Sequence, residues 1–314
     1  KIVPPEQTKR QVEILLELGE LRADKLGKSA EAVTAYESVL ERDPKNAVAT
    51  ARLEMLYESL GRERELAHLL EARAETIADP VEKAKLLGRV GTLRGNRGDI
   101  EGSIAAYTSA FRLDPANREV FTAMERVCYK AERWAAAMDL YALAIEFVEA
   151  GNTRAYRLGD LYSRRGNVQL EFLGQMPAAI ESFQKVIEVD SKPEAAVKVL
   201  EGLCRTTNDW QPLIDAWEKR AETQREPARR AEALRNAAKL AAERSSDPRA
   251  ALRLNKKLLA VDPTDPRASA EVERYYEETQ DRAGLVDLLK ARLAHARPEQ
   301  TVDILKKIAR ASEE

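Results

Sequence analysis

The sequence is poor in the residues that most site chemistry needs. Its 314 residues include two histidines and two cysteines, too few for a zinc, haem or iron–sulfur ligand set. No metal and no other cofactor is therefore expected. There is no glycine-rich phosphate loop, no nucleophile elbow and no histidine pair at metal-ligand spacing, so the expectation is a protein that is not an enzyme. Apolar runs such as Trp134–Met138 and Tyr141–Ile145 are short against the about 20 residues of a membrane span, so no membrane insertion is expected. Charge of one sign is also missing. Lys and Arg total 51 against 53 Asp and Glu, a formal net charge of −2, without the basic excess of a dedicated nucleic-acid binder. Aromatics are 5% and glycines number 14, which excludes collagen and leaves little room for a β-sandwich or barrel. The opening KIVPPEQTKR lacks the regions of a secretory signal. The chain starts at Lys1 rather than methionine, so it is expected to be an excerpt of something longer, and a targeting segment upstream stays open.

What is abundant is helix-forming material. The apolar set is 44%, much of it alanine, and charged residues are 33%. Length alone suggests about two domains, but a repeat runs through all of it. Asp43-Pro44, Asp114-Pro115, Asp190-Ser191 and Asp262-Pro263 recur at intervals of 71, 76 and 72 residues. Between them lie units that end differently, in RAETIADP (73–80), RAETQREP (220–227) and RLAHARP (292–298). Each unit reads as two helices. Gly98-Asp99 breaks the first from the second, with Asp99 as N-cap. Pro177, Pro212 and Pro248 open second helices in the first turn, where no donor is lost, and Ser246-Asp247-Pro248 supplies the turn of the seventh unit. Gly151-Asn152 reads as a break, with an extended helix from Thr153 onward or, alternatively, a loop.

This pattern resembles the tetratricopeptide repeat family. The third unit carries Val90-Gly91, Gly98-Asp99, Tyr107, Ala110 and Pro115; the fourth Phe121, Ala137, Tyr141 and Ala144; the fifth Gly174, Ala179, Phe183 and Val186; the first Leu18-Gly19, Ala32, Tyr36 and Pro44. Leu66, Leu213 and Leu285 stand where the family has a small alanine. The resemblance implies an all-α, right-handed α-solenoid of stacked antiparallel helix pairs over 1–314. Its repeats fall at 11–46, 47–80, 81–117, 118–151, 152–193, 194–227, 228–265 and 266–298. Residues 299–314, with Val302, Ile304, Leu305 and Ile308 at helical spacing, then form the first helix of a truncated ninth.

Placed on that frame, Cys128 and Cys204 are small core residues two repeats apart, too distant for a disulfide, and free buried thiols favour a reducing, cytoplasmic setting. His68 and His295 are expected on second helices, far apart. Trp134, Trp210, Trp217, Tyr107, Tyr141 and Phe183 read as packing residues. In the family the first helices line a concave groove. Carried over unit by unit, the groove positions of the third to sixth repeats are Lys85, Arg89, Thr92 and Asn96, then Glu119, Arg126, Tyr129 and Lys130. Arg164, Arg165, Val168, Glu171 and Phe172 follow, then Lys198, Arg205 and Thr206. The first unit gives Glu13, Glu17, Glu20 and Asp24; the eighth gives Glu271, Glu277 and Glu278 beside Arg267 and Arg274. The groove is thus expected to be basic in the middle and acidic at its ends. Charge-rich helix faces are also the rule on any solvated surface, so a plain solvated face is the alternative.

The resemblance implies a non-catalytic interaction scaffold that docks a partner protein or an acidic peptide, with Tyr129 and Phe172 as apolar anchors. Arginine outnumbers lysine 33 to 18. By analogy this suggests a high-GC bacterium and a scaffold for motility, polarity or envelope assembly, for example an adaptor for a small regulatory GTPase. The exposed terminal repeat also offers a surface for self-association. Two other readings are the recruiting region of a larger enzyme and single-stranded RNA binding; acidic groove ends and near-neutral charge weigh against the last.

Overall fold

The computed structural model describes residues 5–152, 154–245 and 247–313. Thr153 and Ser246, named above for an extended helix and for a turn, lie outside the described residues. Among those described there is no strand. The chain forms two compact units that meet in sequence at Ala155 and Tyr156.

The first unit holds four helix pairs: α1 (Pro5–Glu20) with α2 (Ser29–Arg42), α3 (Ala47–Ser59) with α4 (Glu63–Thr76), α5 (Pro80–Asn96) with α6 (Ile100–Leu113), and α7 (Arg118–Lys130) with α8 (Trp134–Glu149). The second unit holds α9 (Leu158–Asn167) with α10 (Met176–Val189), α11 (Glu194–Thr207) with α12 (Gln211–Thr223), α13 (Pro227–Arg244) with α14 (Pro248–Val261), α15 (Pro266–Glu278) with α16 (Arg282–Leu293), and the single α17 (Pro298–Glu313). Two first helices end in a π-helical turn, Leu21–Lys25 after α1 and Val168–Phe172 after α9. Among the described residues no helix is long and apolar enough to cross a membrane.

Local chemistry sets these boundaries. Asn46, Asp79, Asp99, Asn117, Asp247, Asp265 and Asp281 are N-caps whose side chains accept from backbone N–H groups of the following turn, satisfying donors that a helix start otherwise leaves unpaired. Pro177 and Pro212 lie in the first turns of α10 and α12, as their fixed φ allows. Among the described residues the turns of seven of the eight pairs carry one left-handed residue each: Gly27, Gly61, Gly98, Glu132, Gly174, Asn208 and Gln280. That single residue reverses the chain in a few positions.

One difference from the sequence reading lies at α9. The helix starts at Leu158, not near residue 153, because Arg157 is extended (ψ 123°) and is held there by an ion pair to Asp190 at 3.1 Å. A second concerns His295, which follows the end of α16 in a turn rather than lying on the helix.

The cores are small residues packed against rings. In the first unit Tyr36, Tyr107, Tyr141 and Phe111 are fully enclosed, and Cys128 is at 0% exposure, its thiol pushed up to about 11 by burial. Gly19 and Gly91 lie directly under the rings of Tyr36 and Tyr107. In the second unit Gly166 does the same for Phe183, and an alanine-rich cluster of Ala231, Ala233, Ala237, Ala238 and Ala241 packs on Leu254 and Leu258. Cys204 is likewise buried and free. Leu66 and Leu213, in place of alanine, are buried too.

Candidate functional site

The residues assigned to a groove sit on first helices, and two clefts open between neighbouring first helices, one in each unit. In the first unit the cleft between α5 and α7 is about 340 Å³ and is lined by Lys85, Arg89, Thr92, Tyr107, Glu119 and Val120. Close approach is possible because α5 carries Gly88, whose missing side chain leaves room for Val120. Thr92 shares a 2.9 Å hydrogen bond with the Tyr107 hydroxyl.

The two cations in this cleft are already neutralised. The Arg89 guanidinium donates to Glu54 and to Glu58, and Lys85 donates to Glu82 at 2.7 Å. The Glu82 carboxylate holds the Lys85 amine above its usual range. Asn96 is the exposed last residue of α5.

Further along the same unit, α7 presents a different picture. Its buried side, Val120, Phe121, Met124 and Cys128, follows helical periodicity, which leaves Arg126, Tyr129 and Lys130 exposed. Among the described residues no carboxylate forms an ion pair with Arg126 or Lys130. Tyr129 is 37% exposed. Its ring meets Trp134 edge-on at 5.1 Å, and its hydroxyl lies 3.3 Å from that of Tyr141, which in turn donates to Glu125 at 2.6 Å. Burial, reinforced by Glu125, drives the Tyr141 phenol well above its usual range. Tyr129 is thus a fixed apolar surface with two unneutralised cations beside it.

In the second unit the assigned residues separate. Arg164 is exposed on α9, whereas Arg165 is half-buried, lies 4.8 Å above the Tyr162 ring and donates from Nε to Ser182 Oγ at 3.0 Å. Arg165 therefore holds α9 to α10. Val168 is fully buried, a correction to its place in the groove. It opens the π-helical turn, whose wider spacing rotates the face by part of a turn. Glu171 and Phe172 stay exposed, Phe172 at 44%. On α11, Lys198, Arg205 and Thr206 are exposed; Arg205 reaches Glu201 at 3.8 Å. Lys198 borders a cleft of about 780 Å³ between α11 and α13.

At the acidic ends neutralisation is again local. Asp24 pairs with Arg52 at 3.2 Å, and Arg274 spans Glu271 and Glu278. His68 is exposed beside Glu71. Sequence reasoning missed the ion pairs that link successive helices, above all those of Glu54, Glu218 and Glu273. Part of their signal was present in the unit endings, where Arg73 pairs with Glu54 and Arg292 with Glu273; the partners of Glu218, Arg253 and Lys257, lie elsewhere.

The tetratricopeptide-repeat family model matches residues 13–46. No curated protein matches the chain. Among solved structures, the MamA protein is 19% identical, covering 60% of this chain and 96% of its own, with a TM-score of 0.34. The C-terminal part of a TPR repeat-containing protein from Cytophaga hutchinsonii is 17% identical, covering 82% and 97%, with a TM-score of 0.33. The Naa15/Naa10 complex bound to HypK-THB is 13% identical, covering 97% of this chain and 56% of that one, with a TM-score of 0.40. Residues 13–46 take in most of α1 and all of α2, and that same helix pair recurs through both units with its left-handed turn residue and ring-on-glycine packing. Residues 13–46 thus match the tetratricopeptide-repeat family, and the rest of the chain repeats that helix pair.

Proposed function

We propose that the chain is a non-catalytic scaffold that docks a partner protein, or an acidic peptide segment of one, on the exposed faces of its first helices. The observation that carries this reading is on α7, where Arg126 and Lys130 have no ion-pair partner among the described residues and flank the half-exposed ring of Tyr129. Cations beside a rigid aromatic surface suit an acidic segment with an apolar anchor, since charge steers the encounter and the ring supplies buried area. Arg164, Phe172, Lys198 and Arg205 extend the same role in the second unit. The excess of arginine over lysine supports a bacterial setting, and a motility, polarity or envelope-assembly complex follows only by analogy with similar repeat arrays.

The test is fluorescence anisotropy with a labelled nonapeptide of Asp, Glu and one Phe, against a matched Lys/Arg peptide. The acidic peptide is expected to bind in a salt-sensitive way. The double variant Arg126→Glu/Lys130→Glu is expected to weaken it by roughly tenfold or more, about 1.4 kcal/mol, with helical content unchanged. Reversing these two alone avoids Arg165, whose bond to Ser182 belongs to the fold. Failure of the acidic peptide to bind, or acidic-peptide binding indifferent to the reversal, would sink the proposal.

A further inference from the structure

Two carboxylates in this chain are held in the same way. Glu54 on α3 accepts from Arg73 on α4 at 2.8 Å and from Arg89 on α5. Glu273 on α15 accepts from Arg292 on α16 at 2.9 Å and from Lys307 on α17. In both, one cation comes from the second helix of the same pair, 19 residues on, and the other from the next first helix, 35 or 34 residues on. The Glu54 and Glu273 side chains are 16% and 10% exposed.

The same positions in the pair α11–α12 are Glu201, Arg220 and Asn236. Their register is fixed by the buried neighbours: Leu53, Leu200 and Val272 precede the three glutamates, and Leu86, Ala233 and Ile304 stand three residues before the third positions. Here neither cation reaches the carboxylate. Arg220 is 7% exposed and turned to the end of α10, where it donates to the carbonyls of Ile187 (2.6 Å) and Asp190. That diversion satisfies acceptors a helix end leaves open. Asn236 is short and neutral. Among the described residues Glu201 keeps only the exposed Arg205 of its own helix at 3.8 Å, and its side chain is 37% exposed. The space that Arg89 or Lys307 fills elsewhere is here part of the open cleft of about 780 Å³, which is bordered by Glu201, Arg220 and Asn236 together with Trp217, Glu194 and Glu232.

We infer that this cleft receives an arginine or lysine side chain of a partner protein, which completes on Glu201 the arrangement the chain builds for itself at Glu54 and Glu273. A guanidinium or ammonium there gains a charge-assisted hydrogen bond, beside the indole of Trp217, over which Arg220 already lies at 5.9 Å. Lys198 and Arg229 also border the cleft. Arg229 is paired with Glu226 at 2.9 Å, and Lys198, with Lys192 at the same cleft, is left to meet carboxylates flanking the incoming cation. The recognised segment is therefore basic at its anchor and mixed in charge around it. This site is independent of the α7 patch, and either can fail alone.

The test uses the full chain and the Trp217 indole NMR signal, identified with a Trp217→Phe variant. Blocked tripeptides Gly-Arg-Gly, Gly-Lys-Gly and Gly-Glu-Gly are titrated through the millimolar range. The arginine and lysine peptides are expected to shift the indole saturably, and the glutamate peptide is not. Glu201→Gln should weaken that response by roughly tenfold or more, as loss of a charge-assisted bond requires. Asn236→Arg, which supplies the missing cation from within, should abolish it. Melting gives the second readout. Glu54→Gln and Glu273→Gln should lower the midpoint, whereas Glu201→Gln leaves it unchanged. The inference is overturned if the glutamate peptide gives the shift, if no peptide does, or if the arginine response survives both Glu201→Gln and Asn236→Arg.

Discussion

The substitution of one helical glycine by alanine should have opposite signs at two positions of this chain. Gly91 is buried in the interior of α5. A methyl group placed there would lie 2.8 Å from Cδ1 and Cε1 of Tyr107 and 2.9 Å from Cγ, well inside the roughly 3.5–4.0 Å of ordinary carbon contact. The ring cannot swing clear, because Tyr107 is 2% exposed and its hydroxyl is tied to Thr92 at 2.9 Å. Overpacking of this kind costs about 1–3 kcal/mol, and three ring atoms in conflict put Gly91→Ala near the upper end. Alanine returns about 1 kcal/mol through helix propensity, for a net loss of about 2 kcal/mol. Gly202 is in the interior of α11, exposed, and a methyl group there meets nothing within 4 Å. Gly202→Ala keeps the whole propensity gain of about 1 kcal/mol.

The assay is thermal unfolding followed by circular dichroism, read as the shift of the transition that each substitution moves, since two compact units need not melt as one. For units of this size about 2–4 °C corresponds to 1 kcal/mol. Gly91→Ala should therefore lower its midpoint by about 4–8 °C and Gly202→Ala raise its own by about 2–4 °C. The double variant Gly91→Ala/Tyr107→Leu should cost less than the sum of its parts, because the conflict goes with the ring. Equal signs at the two glycines, or strict additivity in the double variant, would refute the packing argument.

Other outcomes follow from single features. Glu132 has a φ of 55° at a turn position that is glycine in four other pairs, so Glu132→Gly should raise the urea midpoint by about 0.5–1 kcal/mol equivalent, relief of left-handed strain outweighing chain entropy. The Glu218 carboxyl is held below its usual range first by Arg253 and also by Lys257. A depressed folded pKa stabilises above the unfolded value and loses that contribution as pH falls through the folded one. Glu218→Gln should accordingly lower the melting midpoint at neutral pH, with the gap to the parent chain closing as pH drops past the usual glutamate pKa of about 4.3. Asn117 accepts from the Glu119 and Val120 amides at 3.1 Å each, and Asn117→Ala should cost about 1 kcal/mol in urea unfolding.

The parts of the fold that depend on period and on turn chemistry were legible in the sequence. Tyr107, Tyr141, Phe183, Cys128 and Cys204 are buried where helical spacing puts them, and Gly98-Asp99 makes the expected turn and cap. What departed from expectation did so where a local interaction overrides periodicity. The π-helical turn at Val168–Phe172 changes the phase of the helix and takes Val168 into the core. The pair between Arg157 and Asp190 holds Arg157 extended, and the helix begins only at Leu158. Neither an i→i+5 turn nor a contact 33 residues away leaves a mark in a window of one helix.

The candidate site was legible only as a set of charges, because sequence gives the sign of a side chain but not what neutralises it. Arg89 and Arg126 are alike as letters on first helices. Arg89 is taken up by two carboxylates from α3, while Arg126 faces outward with no such partner among the described residues. The same holds for the arginines of the RAET endings. Arg73 meets Glu54, but Arg220 turns to the carbonyls of Ile187 and Asp190 and leaves Glu201 short of a cation. A net charge of −2 therefore says little about what the surface can bind. Some charges, such as that of Arg89, cancel against a neighbouring helix, and those that do not, of both signs, are where a partner has something to gain. Binding that depends on them should weaken with salt, whereas the ion pairs linking helices, being partly buried, should hold.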